Sequence, residues 1–137
     1  MNMLTLGAAG IAVRSVAPHL VSKARDPAVV VVDELGRFAV PILSGHLGGA
    51  NDLAREIAGL LGGQAVLTTA TDARGIFAFD QWARRLGCAI PDPEKIRPVA
   101  SRMLAGGTAA FWSQWPVAGE CPSGVVPAGQ EAAQVQL

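Results

Sequence analysis

Cysteine is scarce: Cys88 and Cys121 are the only two in a chain of 137 residues. Two cysteines so far apart make neither a disulfide framework nor a zinc site, and a reducing cytoplasm is the simplest setting for them. Charge is also scarce, and it is balanced, with 11 basic against 11 acidic residues. A neutral chain exerts no general pull on nucleic acid or on acidic membranes, so any anion site has to be local. Long apolar runs are missing. Asp33, Arg37 and His46 interrupt the richest region, and nothing approaches the ~18 residues of a membrane-spanning helix. The opening MNMLTLGAAGIAVR lacks the basic region and apolar core of a secretory signal. No internal repeat is visible. What the chain does have is core material, since half of its residues are hydrophobic. Its length suits one domain that buries roughly two-thirds of its unfolded surface.

Strand and helix patterns alternate. Leu4 to Leu6 reads as a short strand ending at Gly7. AAGIAVRSVAPHL follows with helical spacing, Ile11, Val16 and Leu20 sharing a side with Ala8 and Ala12, until Pro18 ends or kinks it. SKARDP reads as a loop. Ala28 to Val32 is continuously apolar and β-branched, the pattern of a strand covered on both faces. Asp33-Glu34-Leu35-Gly36 has the preferences of a type I turn. It leads to an antiparallel strand over Phe38 to Leu43, which Pro41 places near an edge or makes irregular. Leu53, Ile57, Leu60 and Leu61 form the apolar stripe of a helix stopped by Gly62-Gly63.

AVLTT reads as a buried strand, ATDARG as a loop, and Phe79, Trp82, Ala83 and Leu86 as a helical stripe stopped by Gly87. Asp92-Pro93 looks like an N-cap with proline at the first helical position, and Pro98 predicts a kink or a delayed start. Thr108 to Trp112 is the last expected strand. Beyond it, prolines and glycines recur every few residues, as in an extended tail or linker. The expected architecture is α/β: three layers, with a mostly parallel sheet flanked by helices in a Rossmann- or flavodoxin-like arrangement. Ligands of such sheets bind beyond the carboxyl ends of strands. The loops at 7–10, 44–51 and 70–75 all follow expected strands, so they are expected to gather along one edge.

PILSGHLGGAND, residues 41–52, carries the densest chemistry. A glycine-rich turn opening a helix presents amide N–H groups and the positive end of the helix dipole to a carboxylate, phosphate or oxyanion. Ser44 and Asn51 can add hydrogen bonds, and His46 can move a proton near neutral pH. The spacing of Gly45, Gly48 and Gly49 matches neither the P-loop nor the dinucleotide fingerprint, which disfavours a nucleotide-binding domain. A tight turn whose glycines relieve strain explains the same spacing. TTATDARG offers the hydroxyls of Thr68, Thr69 and Thr71, together with Asp72 and Arg74. Asp72 can orient His46 or activate water, and a local turn with a helix cap explains it equally well. Arg14, after the first glycine loop, can pair with an anion through its planar fork.

GAAGIAVRSVAPHL, DPAVVVVDELGRFAVPILSGHLGGANDLAREIAGLLG and AVLTTATDARGIFAFDQWARRLG together resemble the cobalamin-biosynthesis CbiG family, with LSGHLGGAN and TTATD as the specific parts. The resemblance implies a cobalt-precorrin-5A hydrolase of the anaerobic route. Such an enzyme opens the ring A δ-lactone of a cobalt corrinoid and releases acetaldehyde to give cobalt-precorrin-5B. It implies no separate cofactor and no resident metal, because cobalt travels in the substrate. Family members usually carry a further βα segment before this region and a carboxy-terminal domain after it. The expected organisation is therefore residues 1–112 as an α/β domain with an incomplete first βα unit, and 113–137 as a tail or linker toward an absent domain. A missing edge element favours a homodimer or a partner carrying the absent domain. Within this reading His46 is the candidate base and Asp72 its partner. Ser44, Gly45, Gly48, Gly49, Asn51, Thr69, Thr71, Arg14 and Arg74 are the candidates for holding substrate. The alternative is a non-catalytic corrinoid-binding or assembly module of a split enzyme.

Overall fold

The computed structural model describes residues 2–22 and 25–137; part of the loop expected from SKARDP therefore lies outside the described residues. The chain divides into two compact units, the first made of 1–69 and 80–89, the second of 70–79 and 90–137. Helices flank mostly parallel sheets, so the α/β class holds, but the strands are shared between two sheets rather than gathered in one.

In the first unit β1 (Asn2–Leu6), β2 (Ala28–Val32), β3 (Phe38–Leu43) and β4 (Gln64–Ala65) lie side by side in that order. β2 is buried at all five positions; of the two inner strands it is the one whose neighbours both pair along most of its length. Asp33 and Gly36 close the turn between β2 and β3 through the Gly36 N–H to Asp33 carbonyl bond (2.9 Å). The Asp33 carboxylate accepts the Phe38 N–H at 2.7 Å, and chiefly this bond holds its pKa below the ordinary aspartate value. Pro41 sits in an interior strand, not at an edge. It is accommodated by the register shift opposite Val29 and Val30, and β4 pairs only with Phe38 and Ala39. The strand expected over AVLTT is shorter than its sequence suggests, because only Gln64 and Ala65 pair with β3 before the chain turns away.

α1 (Ala9–Val16) ends in a 3-10 turn at Ala17–His19, where Pro18 cannot continue the α-helix. α2 (Ala50–Leu61) ends at Gly62, whose φ of 68° suits only glycine comfortably. Its buried face differs from the one expected. Ala50, Ala54 and Ala58 pack on Val30, Val32 and Ala39, with Leu53 and Ile57 at the margin, while Leu60 is 80% exposed. Small side chains allow the helix to lie close to the sheet, and the larger leucines are displaced outward. On α1 likewise only Ala12 is buried, and Ile11 is open. On β1, the edge strand, Leu4 and Leu6 are exposed.

The direction of the strands corrects one expectation. β1 and β2 are parallel and β3 runs antiparallel to β2, so Leu6 pairs with Val32 while Leu43 pairs with Val29. The loop after β1 therefore opens at one end of the sheet, and the loop after β3 at the other. β4 is parallel to β3, so the segments following these two strands leave the sheet at the same end.

The second unit has a parallel sheet of β5 (Ala109–Trp112) between β6 (Val125–Pro127) and β7 (Val135–Gln136). It also holds α3 (Ala70–Ala73), where a loop was expected, and α5 (Ile96–Leu104). A 3-10 turn at Pro93–Lys95 precedes α5, which is the delayed start that Pro98 implied. Asp92 makes no side-chain cap and instead pairs with Lys95 at 3.4 Å. The segment 113–137, read from composition as a tail, supplies both outer strands. Gln134 anchors it by accepting the Ala110 N–H on its side-chain oxygen (2.8 Å) and donating its own N–H to the Ala110 carbonyl (2.9 Å). Met103, Ala109 and Val125 form the buried centre, with Ile76, Phe77, Phe79, Val99 and Phe111 around them. Phe77 meets Phe79 edge to face, and Phe79 stacks on Phe111. Among the described residues no helix is long and apolar enough to cross a membrane.

Candidate functional site

The segment after β3 folds back on itself. The Gly49 N–H donates to the His46 carbonyl (3.0 Å), Ala50 N–H to the Ser44 carbonyl (3.1 Å), and Asn51 N–H to the Gly45 carbonyl (3.0 Å). The amides of Gly49, Ala50 and Asn51 are thus turned onto their own loop and do not point to an anion. Ser44 carries the strain of the turn with φ of 54°, a left-handed value that costs a non-glycine residue of order 1–3 kcal/mol. It is buried, and its hydroxyl donates to the Asp26 carbonyl at 2.8 Å. That bond ties the loop to the segment entering β2.

Gly45 and Gly48 are required by close approach. A Cβ at Gly45 would stand 2.7 Å from Asn51 Oδ1 and 3.3 Å from Thr69 Cγ2. A Cβ at Gly48 would stand 2.8 Å from the Ser44 carbonyl oxygen, whereas Gly49 is required by its left-handed φ of 84°, the Arg84 guanidinium beside it being the movable end of a long side chain. Fully buried Asn51 donates its side-chain N–H to Thr69 Oγ1 at 3.0 Å. Ser44, Gly45, His46, Gly48, Gly49, Asn51 and Thr69 are therefore brought together by two segments that leave the sheet at one end.

Arg14 is exposed on α1, which begins at the opposite end of the sheet. Thr71, Asp72 and Arg74 belong to the second unit. Thr71 is buried in α3, and the Arg74 guanidinium donates to the Leu104 carbonyl at 3.2 Å.

Two carboxylates that are not among the candidate residues named from the sequence lie in the first unit's own framework. Asp80, in the first turn of α4 (Phe79–Arg85), is 5% exposed, and its Oδ2 lies 3.3 Å from His46 Nδ1. Asp52, in the first turn of α2, is enclosed by Arg84, Arg85 (2.7 Å), Arg55 (3.1 Å) and the Gln81 amide (3.1 Å). Partial burial alone would push the Asp52 pKa up. The Arg85 hydrogen bond and the charges of Arg85, Arg84 and Arg55 outweigh it, so the carboxyl titrates below its ordinary value. An aspartate at the start of a helix reads in sequence as a local cap. Nothing in linear spacing connects Asp80 to His46, because the pairing is made by helix packing.

The first unit is thus an α/β domain in which a glycine-walled loop beyond the carboxyl end of a strand sets a histidine beside a buried carboxylate. The family description Cobalamin synthesis G N-terminal matches residues 1–72, and the chain belongs to that family. It is 45% identical over 102 residues to a cobalt-precorrin-5A hydrolase of Salmonella typhimurium, a match covering 74% of this chain and 29% of that protein. It is 41% identical over 95 residues to a cobalt-precorrin-5A hydrolase of Priestia megaterium, covering 69% of this chain and 25% of that protein. The chain thus spans between a quarter and three-tenths of the length of these relatives. The fold is also that of a crystallised cobalamin biosynthesis protein G homolog from Sulfolobus solfataricus. The TM-score is 0.54 at 26% identity, covering 91% of this chain and 38% of that one.

Proposed function

We propose that this chain acts in cobalamin biosynthesis as a cobalt-precorrin-5A hydrolase, or as the part of one that carries the LSGHLGGAN loop. The observation carrying the reading is the loop itself, which holds His46 among close-packed glycines in a chain similar to proteins named for that reaction. Water adds to the ring A δ-lactone carbonyl while His46 takes its proton. N–H groups of the 45–48 turn meet the oxyanion, a contribution worth about 3 kcal/mol per donor in comparable sites. Collapse frees a carboxylate and an alcohol. Deprotonating that alcohol forms the carbonyl of acetaldehyde and leaves the carbon–carbon bonding pair on the conjugated macrocycle, giving cobalt-precorrin-5B. Cobalt enters and leaves with the substrate, and no further cofactor is invoked. Asp72 is proposed to orient the attacking water rather than His46, and Thr69, Thr71, Arg74 and Arg14 are proposed as contacts to a carboxylate-rich corrinoid. The protein works in the cytoplasm, and the bare edge of β1, with Leu4 and Leu6 outward, pairs with a second copy or with a partner domain.

The short coverage of the relatives favours a second reading, a corrinoid-binding or assembly module that a further domain completes. Mixing the purified chain with cobalt-precorrin-5A separates the two. Release of acetaldehyde supports the hydrolase. Tight binding without release supports the module, and the absence of both binding and release would overturn any corrinoid function. Sedimentation of wild type against Leu4→Glu tests the pairing of β1.

A further inference from the structure

Asp80 is a buried carboxylate with a defined surrounding. Its Oδ1 accepts the Gln81 backbone N–H at 3.0 Å, and its Oδ2 faces His46 Nδ1 at 3.3 Å. The His46 and Asp80 side chains are 14% and 7% exposed, so neither is a surface pairing of convenience. A carboxylate removed from water has to be compensated by donors or by charge, and a neutral imidazole can offer only one N–H. An N–H on Nδ1 would satisfy Asp80, whereas a lone pair there would face it unfavourably. The separation is long for a hydrogen bond, as is common for catalytic pairs before substrate binds. The backbone at His46 is fixed as well, since its carbonyl accepts the Gly49 N–H. Asp80 reaches this position on α4, a separate element from the loop that carries His46.

We propose that Asp80 is the positioning residue for His46. It selects the Nδ1–H tautomer and leaves Nε2 as the basic nitrogen. As a role in turnover this rests on reading His46 as the base; as a statement about the imidazole it does not. The chain has only two histidines, so ring-nitrogen NMR with a His19→Gln variant assigns His46 directly. With the ring neutral, wild type is expected to show the proton on Nδ1. Asp80→Asn, which can present an amide N–H to Nδ1, is expected to move it to Nε2, and Asp80→Glu to keep it on Nδ1. With cobalt-precorrin-5A, Asp80→Asn should lower kcat roughly 10²–10⁴-fold with little change in KM, by analogy with tautomer errors in other histidine–carboxylate pairs. An Nε2–H tautomer in wild type would overturn the proposal whether or not any variant folds. So would a tautomer unaltered in folded Asp80→Asn. If the tautomer behaves as expected but His46→Ala keeps full turnover, the hydrolase reading of His46 fails and the Asp80 assignment stands.

Discussion

In the first unit the buried side chains are small: five consecutive positions of β2, with Ala39, Ala50, Ala54 and Ala58 against them. In the second, a methionine and three phenylalanines gather around Ala109 and Val125. Close backbone approach is confined to particular turns: Gly48 and Gly63 in the first unit and Gly107 in the second would set a Cβ within about 3 Å of a backbone carbonyl oxygen, while most other glycines of both units face open space. One unit is built by bringing backbones close together, the other by filling space with large side chains. Backbone-close packing suits a site made from turn amides and one imidazole, because it fixes donor positions without depending on rotamers. A core of large side chains suits a stretch as rich in proline and glycine as 113–137, because a few rings can hold segments with little regular structure.

The largest expected effect that would sharpen this contrast is catalytic. His46→Ala should lower acetaldehyde release from cobalt-precorrin-5A about 10²–10⁴-fold while the thermal midpoint stays near that of wild type, since its loop is closed by backbone bonds. Retained turnover would remove His46 as base. Next comes the second unit's core. Met103→Ala, which empties the centre of the Phe77, Phe79 and Phe111 cluster, should cost about 2–5 kcal/mol in urea unfolding. A loss well under 1 kcal/mol would mean that the rings close over the gap and that the core is not set by large side chains.

A glycine pair compares two kinds of position in the first unit directly. Gly48→Ala should destabilise by about 1–3 kcal/mol, because its methyl meets Ser44. Gly59→Ala, in the last turn of α2 with nothing within 4 Å, should stabilise by up to roughly 0.5–1 kcal/mol. Equal effects at the two sites would break the argument from close packing.

The smallest effect is on pH. The folded Asp52 carboxyl titrates below the ordinary aspartate value, held there by Arg85, Arg84 and Arg55 against its partial burial. Its stabilising contribution is therefore fully present above the unfolded value and is lost as pH falls through the lower folded value. Thermal melts of Asp52→Asn should be flatter than wild type across that acid window and lower than wild type at neutral pH. Arg85 and Arg55 are substantially exposed, so the difference should shrink with added salt.

Much of the fold was legible in residue order. The apolar β-branched run 28–32, the Asp33–Gly36 turn and the Gly62 stop each follow from local chemistry, and each stands where the sequence placed it. The face of α2 was misread. Leucine periodicity marks hydrophobicity, whereas full burial is decided by how closely the helix approaches the sheet, which the small side chains of Ala50, Ala54 and Ala58 permit. The tail at 113–137 was misread because proline and glycine content reports local flexibility, while its strands form by pairing with β5 far along the chain. The glycine loop and His46 were visible as a cluster. Asp80 was not, since its relation to His46 exists only after α4 has packed.

By itself the sequence determined the alternation of strands and helices, the positions of the turns, and the residue types able to hold an oxyanion and move a proton. These depend on backbone preferences and on chemistry within a few neighbouring residues. Tertiary structure alone decided which loops share an end of the sheet, which face of α2 is inside, and which carboxylate stands beside the imidazole. Strand direction and the approach distance between elements are properties of packing, and no local stretch encodes them.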